Sequence, residues 1–418
     1  MNQNLSQFIP SAVILTGGSC SRFHPFSYPG AKANFVLMGQ PILAHTISSL
    51  ISVGITDIHI VKSPQDTAIE SIANIFQDKA QITFYNQEQA LGQGHAILQV
   101  KDKIKHRFLV CNQQHITVAE HLQLLPSFLQ DNQIPEDGVI QYTKETDEPE
   151  KYGILTIDGI NISQVVEKPQ DMKGKTGFRI VGLYVLSPEF LEILEQTPLE
   201  EYQFENALTT YGQQGKYFAL KTDLEVPTLK YPWDIFTIAN CLFNNFKNDP
   251  QISSDAFIHP TAIIEGPVVI EVGTQIYEYA IIKGPVYIGK NVVVGSYCKV
   301  RKGAVLEEGA QIQSHGEISH SYLGPNTHIH SGFIGDSILG QDCRIGANFV
   351  TANRRLDRQD IKCFIKNELR DSHQSYLGCI VGNNVKIGIH CGTNPGIIIP
   401  PDNQILPGTI VNKDTTYA

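Results

Sequence analysis

From about residue 258 onward an aliphatic side chain recurs at every sixth position, often followed by glycine or an acid. Ile270, Ile276, Ile282, Ile288, Val294, Val300, Leu306 and Ile312 form a run of eight such positions. The phase slips near Ile318, returns at Leu339 and Ile345, and resumes at Val381, Ile387, Thr393, Ile399, Ile405 and Val411. An antiparallel sandwich would instead alternate with period two and space its strands irregularly. A triangular coil gives a period of six, because each face is one short strand plus a turn. The aliphatic residue then points inward onto the coil above. A glycine or small residue beside it suits the tight corner, where φ turns positive. The spacing predicts a left-handed parallel β-helix of hexapeptide repeats over 255–418. The polar, charged run 353–376 is out of phase and is expected to leave the coil as a loop.

The first 247 residues carry a different pattern. Apolar residues 11–16 read as a short strand that runs into Gly17 and Gly18. Residues 41–53 read as a helix, 56–62 as a strand, 94–105 as a helix, and 108–111 and 138–142 as further strands. Such alternation predicts an α/β domain, with a mainly parallel, Rossmann-like sheet and helices on both faces. A helix over 233–246 closes it, and Asn248-Asp-Pro250 marks the linker. Two domains are expected, 1–247 and 255–418, as the length of 418 residues also suggests.

Composition narrows the function. Hydrophobic residues make up 42% and charged residues 18%, values of a soluble globular chain rather than a disordered one. The net charge of −10 speaks against broad nucleic-acid binding. A polyanionic nucleotide would have to be held by a few placed cations and backbone N–H groups. The eight cysteines are scattered without a C-x-x-C pair, as in a reduced, cytoplasmic setting. Residues 1–10 show no basic segment followed by an apolar run, and no stretch reaches the ~18 apolar residues of a membrane span. Neither secretion nor membrane insertion is expected.

The chemistry begins with Leu15-Thr-Gly-Gly-Ser-Cys-Ser-Arg-Phe-His-Pro25, followed by Ala31-Lys32 and Gly39-Gln-Pro-Ile-Leu43. A glycine turn directly after the first strand lets backbone N–H groups approach phosphates, and Arg22 and Lys32 can neutralise them. The order strand, glycine pair, arginine, proline, lysine resembles the nucleoside-triphosphate loop of sugar-1-phosphate nucleotidylyltransferases. Over nearly its whole length the chain is similar to the bifunctional glucosamine-1-phosphate acetyltransferase / N-acetylglucosamine-1-phosphate uridylyltransferase family, especially its archaeal branch. Gln87-Glu-Gln-Ala-Leu-Gly-Gln-Gly-His-Ala96, Tyr152-Gly153, Val166-Glu-Lys-Pro169 and Tyr231-Pro-Trp-Asp-Ile235 carry the same resemblance.

The resemblance implies a nucleotide site built from Leu15, Gly17, Gly18, Arg22, Lys32, Gln87 and Gly92. Gln87 would read a pyrimidine edge, Gly92 would leave room for the base, and Gly153 and Glu167 would hold the sugar. It also implies Mg²⁺ held by carboxylates around the α-phosphate. Here Gln114 and Thr228 stand at the expected acidic positions, Cys20 replaces a loop glycine, and Ile180 replaces a sugar-binding asparagine. No confident metal ligand remains.

In the C-terminal half, His330-Ser-Gly-Phe-Ile-Gly-Asp336 and Ile345-Gly-Ala-Asn-Phe-Val-Thr-Ala-Asn353 resemble the acetyltransferase segments. By resemblance His330 takes the proton from the acceptor amine, a task suited to neutral imidazole. Arg301 and Lys362 bind the acceptor phosphate, with Phe333 and Asn353 beside the sugar. Ser319 stands for a lysine, Phe333 for a tyrosine, and one residue is missing just before His330. His315, His320, His328 and His330 read as turn histidines rather than a metal site. The expected substrates are a sugar 1-phosphate, a nucleoside triphosphate and acetyl-CoA, leading toward UDP-N-acetylglucosamine, in a cytoplasmic homotrimer. Two readings stand: a transferase with acyl transfer as its better-preserved half, or a catalytically silent subunit that binds nucleotide sugars.

Overall fold

A computed structural model describes residues 4–18, 20–27 and 31–413. Its chain contacts fall into two compact units. The first comprises the described residues up to 18 with Lys32–Asn34 and Ile42–Pro227. The second comprises the described residues of 20–31, with Phe35–Pro41 and everything from Thr228 onward.

The first unit is built on a nine-stranded sheet. Ser11–Leu15 lies at its centre between Asp57–Lys62 and Phe108–Asn112, parallel to both. Gln81–Asn86 pairs parallel to Asp57–Lys62 at the edge. Gly177–Leu186 and Asn161–Glu167 run against their neighbours, so the sheet is mainly but not wholly parallel. Alternate residues of the first strand serve opposite layers, as the pleat requires. Ala12 and Ile14 pack with Leu43, Ile47 and Leu50 of the helix Ile42–Ser52. Val13 and Leu15 pack with Ile97, Phe190, Leu194 and Phe204 on the other face. Helices therefore cover both sides. The helix read over 94–105 is shorter, Gln93–Leu98, and breaks into turns beyond it.

The second unit contains a left-handed parallel β-helix of three eight-stranded sheets. Its inward column is the sixfold series read from sequence. Ile276 pairs over Val294, Val294 over Ile312, and Ile312 over Ile329. Ile329, Ile345, Ile387 and Ile405 continue that column. All of these are buried, as are Cys298, Cys343, Cys379 and Cys391, whose compact thiols fill the same core.

The coil does not stop at the phase slip. Ile318, Leu323, Ile329, Ile334 and Leu339 all remain in the core. Three of their steps, 318 to 323, 329 to 334 and 334 to 339, are five residues instead of six, so three corners are one residue short. The excursion over 353–376 leaves the coil as expected, but it holds a hairpin of its own, Lys362–Ile365 against Glu368–Asp371. The helix Asp234–Phe243 also belongs to this unit, where Phe236 stacks on His320 with ring centroids 4.5 Å apart.

One polar group is sealed into this unit. Glu307 is fully buried, and its two carboxylate oxygens accept the backbone N–H groups of Met38 at 2.6 Å and Gly39 at 2.9 Å. Phe35 packs on Tyr322, whose hydroxyl donates to the Val36 carbonyl, so segment 35–41 is fixed at several points. Desolvation pushes the Glu307 carboxyl up to about 7, against the opposing pull of the two N–H donors. A carboxyl raised in the fold favours folding below its unfolded value and loses that contribution as pH climbs through about 7. At roughly 1.4 kcal/mol per unit, wild type should lose on the order of 2–3 kcal/mol between pH 5 and 8. Glu307→Gln should lack this slope. Denaturant unfolding at the two pH values checks it, and parallel behaviour of both proteins would rule it out.

Candidate functional site

The strand Ser11–Leu15 ends at the sheet's C-terminal edge, where α/β folds bind ligands. There Leu15, Gly17, Gly18, Gln87 and Gly92 converge on one cleft of about 280 Å³, together with Val61, Ala90, Gln93, Ala96 and Asn112. Gly18 has φ +132° with open space where a side chain would project, so backbone N–H groups can face a phosphate there. Gln87 is oriented by its own neighbours. Its Nε2 donates to the Gly92 carbonyl at 3.0 Å and to His95 Nδ1 at 3.1 Å. Its Oε1 is turned toward Gly17, 3.5 Å from where a Cβ on that glycine would sit. A free carbonyl oxygen in that position can accept the N3–H of uracil or thymine, a donor that cytosine lacks.

Arg22 lies on the short turn Ser21–Phe23, which groups with the second unit, and Lys32 lies on the helical turn Ala31–Asn34. Lys32, which belongs to the first unit, is not among the cleft-lining residues. Gly153 and Glu167 are brought together, since a Cβ on Gly153 would lie 3.0 Å from Glu167 Oε1. They sit on the antiparallel pair Gly153–Asp158 and Asn161–Glu167, and Ile180 closes against Gly153.

The residues present do not suit a divalent cation. None lining the cleft is acidic. Gln113 is buried with its Oε1 unpartnered, and Gln114 is a neutral amide beside it. Burial, reinforced by His121, pushes His115 down to about 3, so its imidazole is neutral. Its Nδ1 accepts the Asn112 N–H at 3.3 Å, and its other side bonds the Val181 backbone. These groups hold the strand end rather than an ion.

On the β-helix, the face formed by Lys299–Arg301, Gly316–Ser319, Gly332–Gly335 and Phe349–Thr351 gathers most of the predicted acceptor set. Register stacks Lys299, Glu317, Phe333 and Val350 in one outward column, and Arg301, Ser319 and Gly335 in another. Arg301 Nε donates to Glu317 Oε1 at 2.7 Å, with both side chains partly exposed. A Cβ on Gly335 would meet the Phe333 ring at 2.7 Å and Asn353 Nδ2 at 2.8 Å, so only glycine fits between them. Lys362 is exposed on the excursion hairpin, opposite Asp371. That hairpin also brings Asp360, Asp371 and His373 together at the surface.

His330 stands apart. Its side chain is exposed, and no hydrogen bond ties its ring to a described residue. Only its backbone is anchored, by N–H donation to Ile345 at 3.0 Å. It precedes the strand Gly332–Gly335, whereas Asp336 follows that strand, six residues further along the chain. Instead His320 meets the motif: its Nδ1 lies 2.7 Å from Asp336 Oδ1, and Asp336 Oδ2 accepts Asn353 Nδ2 at 2.6 Å. His320 does sit at a coil corner, as a turn histidine should, but its contact with Asp336 has no signal in the sequence pattern, and neither does the Arg301–Glu317 pair. The four histidines at 315–330 do not converge, and His315 stacks on Tyr297 instead.

A sheet with a glycine turn at its C-terminal edge, followed by a hexapeptide β-helix, defines a sugar-nucleotide transferase in two parts. The nucleotidyl transferase family model matches residues 11–225, and a GMPPB C-terminal domain model matches 264–369. The bifunctional protein GlmU of Methanococcus vannielii is 31% identical over 412 residues, covering 96% of this chain and 95% of that protein. GlmU of Methanocaldococcus jannaschii is 29% identical over the same shares. The bifunctional sugar-1-phosphate nucleotidylyltransferase/acetyltransferase of Sulfurisphaera tokodaii is 26% identical, covering 97% of this chain and 98% of the relative. The chain belongs to this family of bifunctional nucleotidylyltransferase/acetyltransferases.

The cleft leads to a measurable expectation. Uridine diphosphate sugars should bind with similar affinity in Mg²⁺ and in EDTA, and more tightly than their cytidine counterparts. Gln87→Ala should weaken the uridine ligand by roughly tenfold, the value of one hydrogen bond to the base. Titration calorimetry measures both, and a strong Mg²⁺ requirement would show that carboxylates outside the cleft lining supply an ion.

Proposed function

We propose that this chain is a cytoplasmic homotrimer of amino-sugar nucleotide metabolism. Its β-helix transfers an acetyl group from acetyl-CoA to the amine of a hexosamine 1-phosphate. The observation that carries this reading is the single face on which Arg301, Glu317 and Phe333 stand in adjacent columns, with Asn353 Nδ2 close to Gly335 beside them. Arg301 offers a guanidinium to the acceptor phosphate, and Lys362 adds a second cation from the hairpin. Phe333 lies against the sugar's apolar edge, and Asn353 bonds its hydroxyls. Trimer formation would come from the coil faces, because the aliphatic stack is complete within one chain.

The N-terminal cleft binds a uridine nucleotide sugar, on this reading UDP-N-acetylglucosamine, with weak or no nucleotidyl transfer. Neutral amides can hold the ground state by hydrogen bonds. They supply little of the charge that a transferring phosphoryl group needs.

A thiol-release assay with acetyl-CoA and glucosamine 1-phosphate tests the first activity, and pyrophosphate release with UTP tests the second. Arg301→Ala and Lys362→Ala should raise KM for the sugar phosphate about tenfold with kcat little changed, since they bind ground and transition states alike. Absence of thiol release with every hexosamine phosphate would overturn the acetyltransferase reading. Light scattering on the whole chain should give three times the monomer mass, and a monomer at micromolar concentration would overturn the assembly.

A further inference from the structure

We propose that the outward column His328, Arg344 and Lys386 of the β-helix binds phosphate esters, either the acceptor's 1-phosphate or the phosphates of the acyl donor. The choice of ligand rests on the acetyltransferase reading above, whereas the site itself rests on charge and register.

The three residues lie on one flat face, in the strands His328–Ile329, Arg344–Ile345 and Lys386–Ile387. Register sets His328 against Arg344 and Arg344 against Lys386, while Ile329, Ile345 and Ile387 beside them point into the core. Neighbouring strands are about 4.8 Å apart, so three basic side chains are stacked within roughly 10 Å. Like charges directly opposite each other are destabilising. Gln311 pairs below the column and Gln404 above it, so both ends are neutral amides.

The neighbouring face treats its cations differently. There Lys283 meets Glu265 at 2.9 Å, Arg301 meets Glu317 at 2.7 Å, and Lys299 reaches the same Glu317 at 3.8 Å. Among the described residues, none of His328, Arg344 and Lys386 forms an ion pair. The corner preceding their face carries Asp342 and Asp402, and Asp402 already accepts Asn384 Nδ2 at 3.2 Å.

Arg344 is also fixed in direction. Its Nη1 donates to the carbonyls of Asn326 at 2.7 Å and Cys343 at 2.9 Å, which leaves Nε and Nη2 without a described partner. These two parallel N–H groups match two oxygens of one phosphate. Burial, reinforced by the Arg344 charge, holds the His328 imidazole below its ordinary value. The part due to Arg344 is a repulsion that a bound anion relieves.

The column begins beside the corner of acyl transfer. His328 and His330 flank the inward Ile329, so both face outward, about 7 Å apart along the chain. A phosphate on the column therefore lies within one substrate length of the imidazole that the family resemblance makes the base.

Titration calorimetry on the full chain tests the site with ligand pairs that differ in phosphate, glucosamine 1-phosphate against glucosamine and CoA against pantetheine. Arg344→Ala and Lys386→Ala should each weaken one phosphorylated ligand about tenfold, and the double variant about a hundredfold, with its phosphate-free partner unchanged. The ligand that weakens identifies the source of the phosphate. Added salt should weaken that ligand in wild type and have little effect in the double variant. The Lys386 side chain supports no core contact, so Lys386→Ala should melt no lower than wild type, because one stacked like charge is removed. A wild type that binds neither phosphorylated ligand, or a double variant that binds both as wild type does, overturns the site. Absence of thiol release in wild type, with phosphate-dependent binding that the double variant loses, instead defeats the acetyltransferase reading and leaves the site standing.

Discussion

The stacking of one aliphatic side chain per face, coil upon coil, is the constraint on which the C-terminal architecture depends. Because Ile276, Val294, Ile312 and Ile329 must lie over one another, the outward residues have no freedom to choose their neighbours. Residues far apart in sequence become columns. Glu317 is fixed beside Phe333, and Arg301 above Ser319, by burial of residues that touch no substrate. A site on such a surface inherits rigidity from the core beneath it, which is what positioned catalytic groups require.

The same constraint explains how the coil absorbs its shortened corners. The coil tolerates a corner one residue short, because inward residues stay stacked while only the turn contracts. One of these contractions lies between Ile329 and Ile334, the corner that carries His330. The core gives nothing up there, because Ile329 and Ile334 both stay buried. His320 and Asp336 are 16 residues apart instead of the 18 of a full coil, and both lie in left-handed backbone at successive corners. Their contact is therefore a product of shortened geometry, not of any local motif.

This separates what was legible in the sequence from what was not. The inward column could be read residue by residue, since a sixfold aliphatic period has one economical packing solution, and its members are the buried ones. The nucleotide cleft was half legible. Gly17, Gly18, Gln87 and Gly92 converge as their motifs suggested, and Gln93 follows Gly92 at the start of its helix, whereas Asn112 joins them through the register of its strand on Ser11–Leu15. Arg22 carried the charge signature of a phosphate ligand, but its placement depends on the packing of a turn that groups with the second unit. The hairpin within 353–376 was hidden by its polarity, because an exposed two-stranded ribbon needs no apolar alternation. The His320–Asp336 pair was invisible because histidines at coil corners look alike until the coil length between them is known.

The N-terminal cleft poses the complementary problem, a preserved shape with altered charge. Replacing a carboxylate by an amide keeps the volume and much of the hydrogen bonding of the site while removing a full negative charge. On the proposed reading, binding of a nucleotide sugar would draw on the backbone N–H groups near Gly18 and on the fixed amide of Gln87, and neither needs a metal. Transfer of the nucleotidyl group demands charge stabilisation that grows between ground and transition state. Among the described residues the cleft lining offers amides, apolar side chains and glycine, groups that serve the first demand by hydrogen bonding and shape. His115 reinforces this, because burial keeps it neutral and the backbone occupies its nitrogens, so it cannot stand in for the missing charge. Recognition and catalysis thus separate within one fold: the glycine turn and the sheet edge maintain the cleft, and the side chains at its acidic positions set whether it can do more than bind.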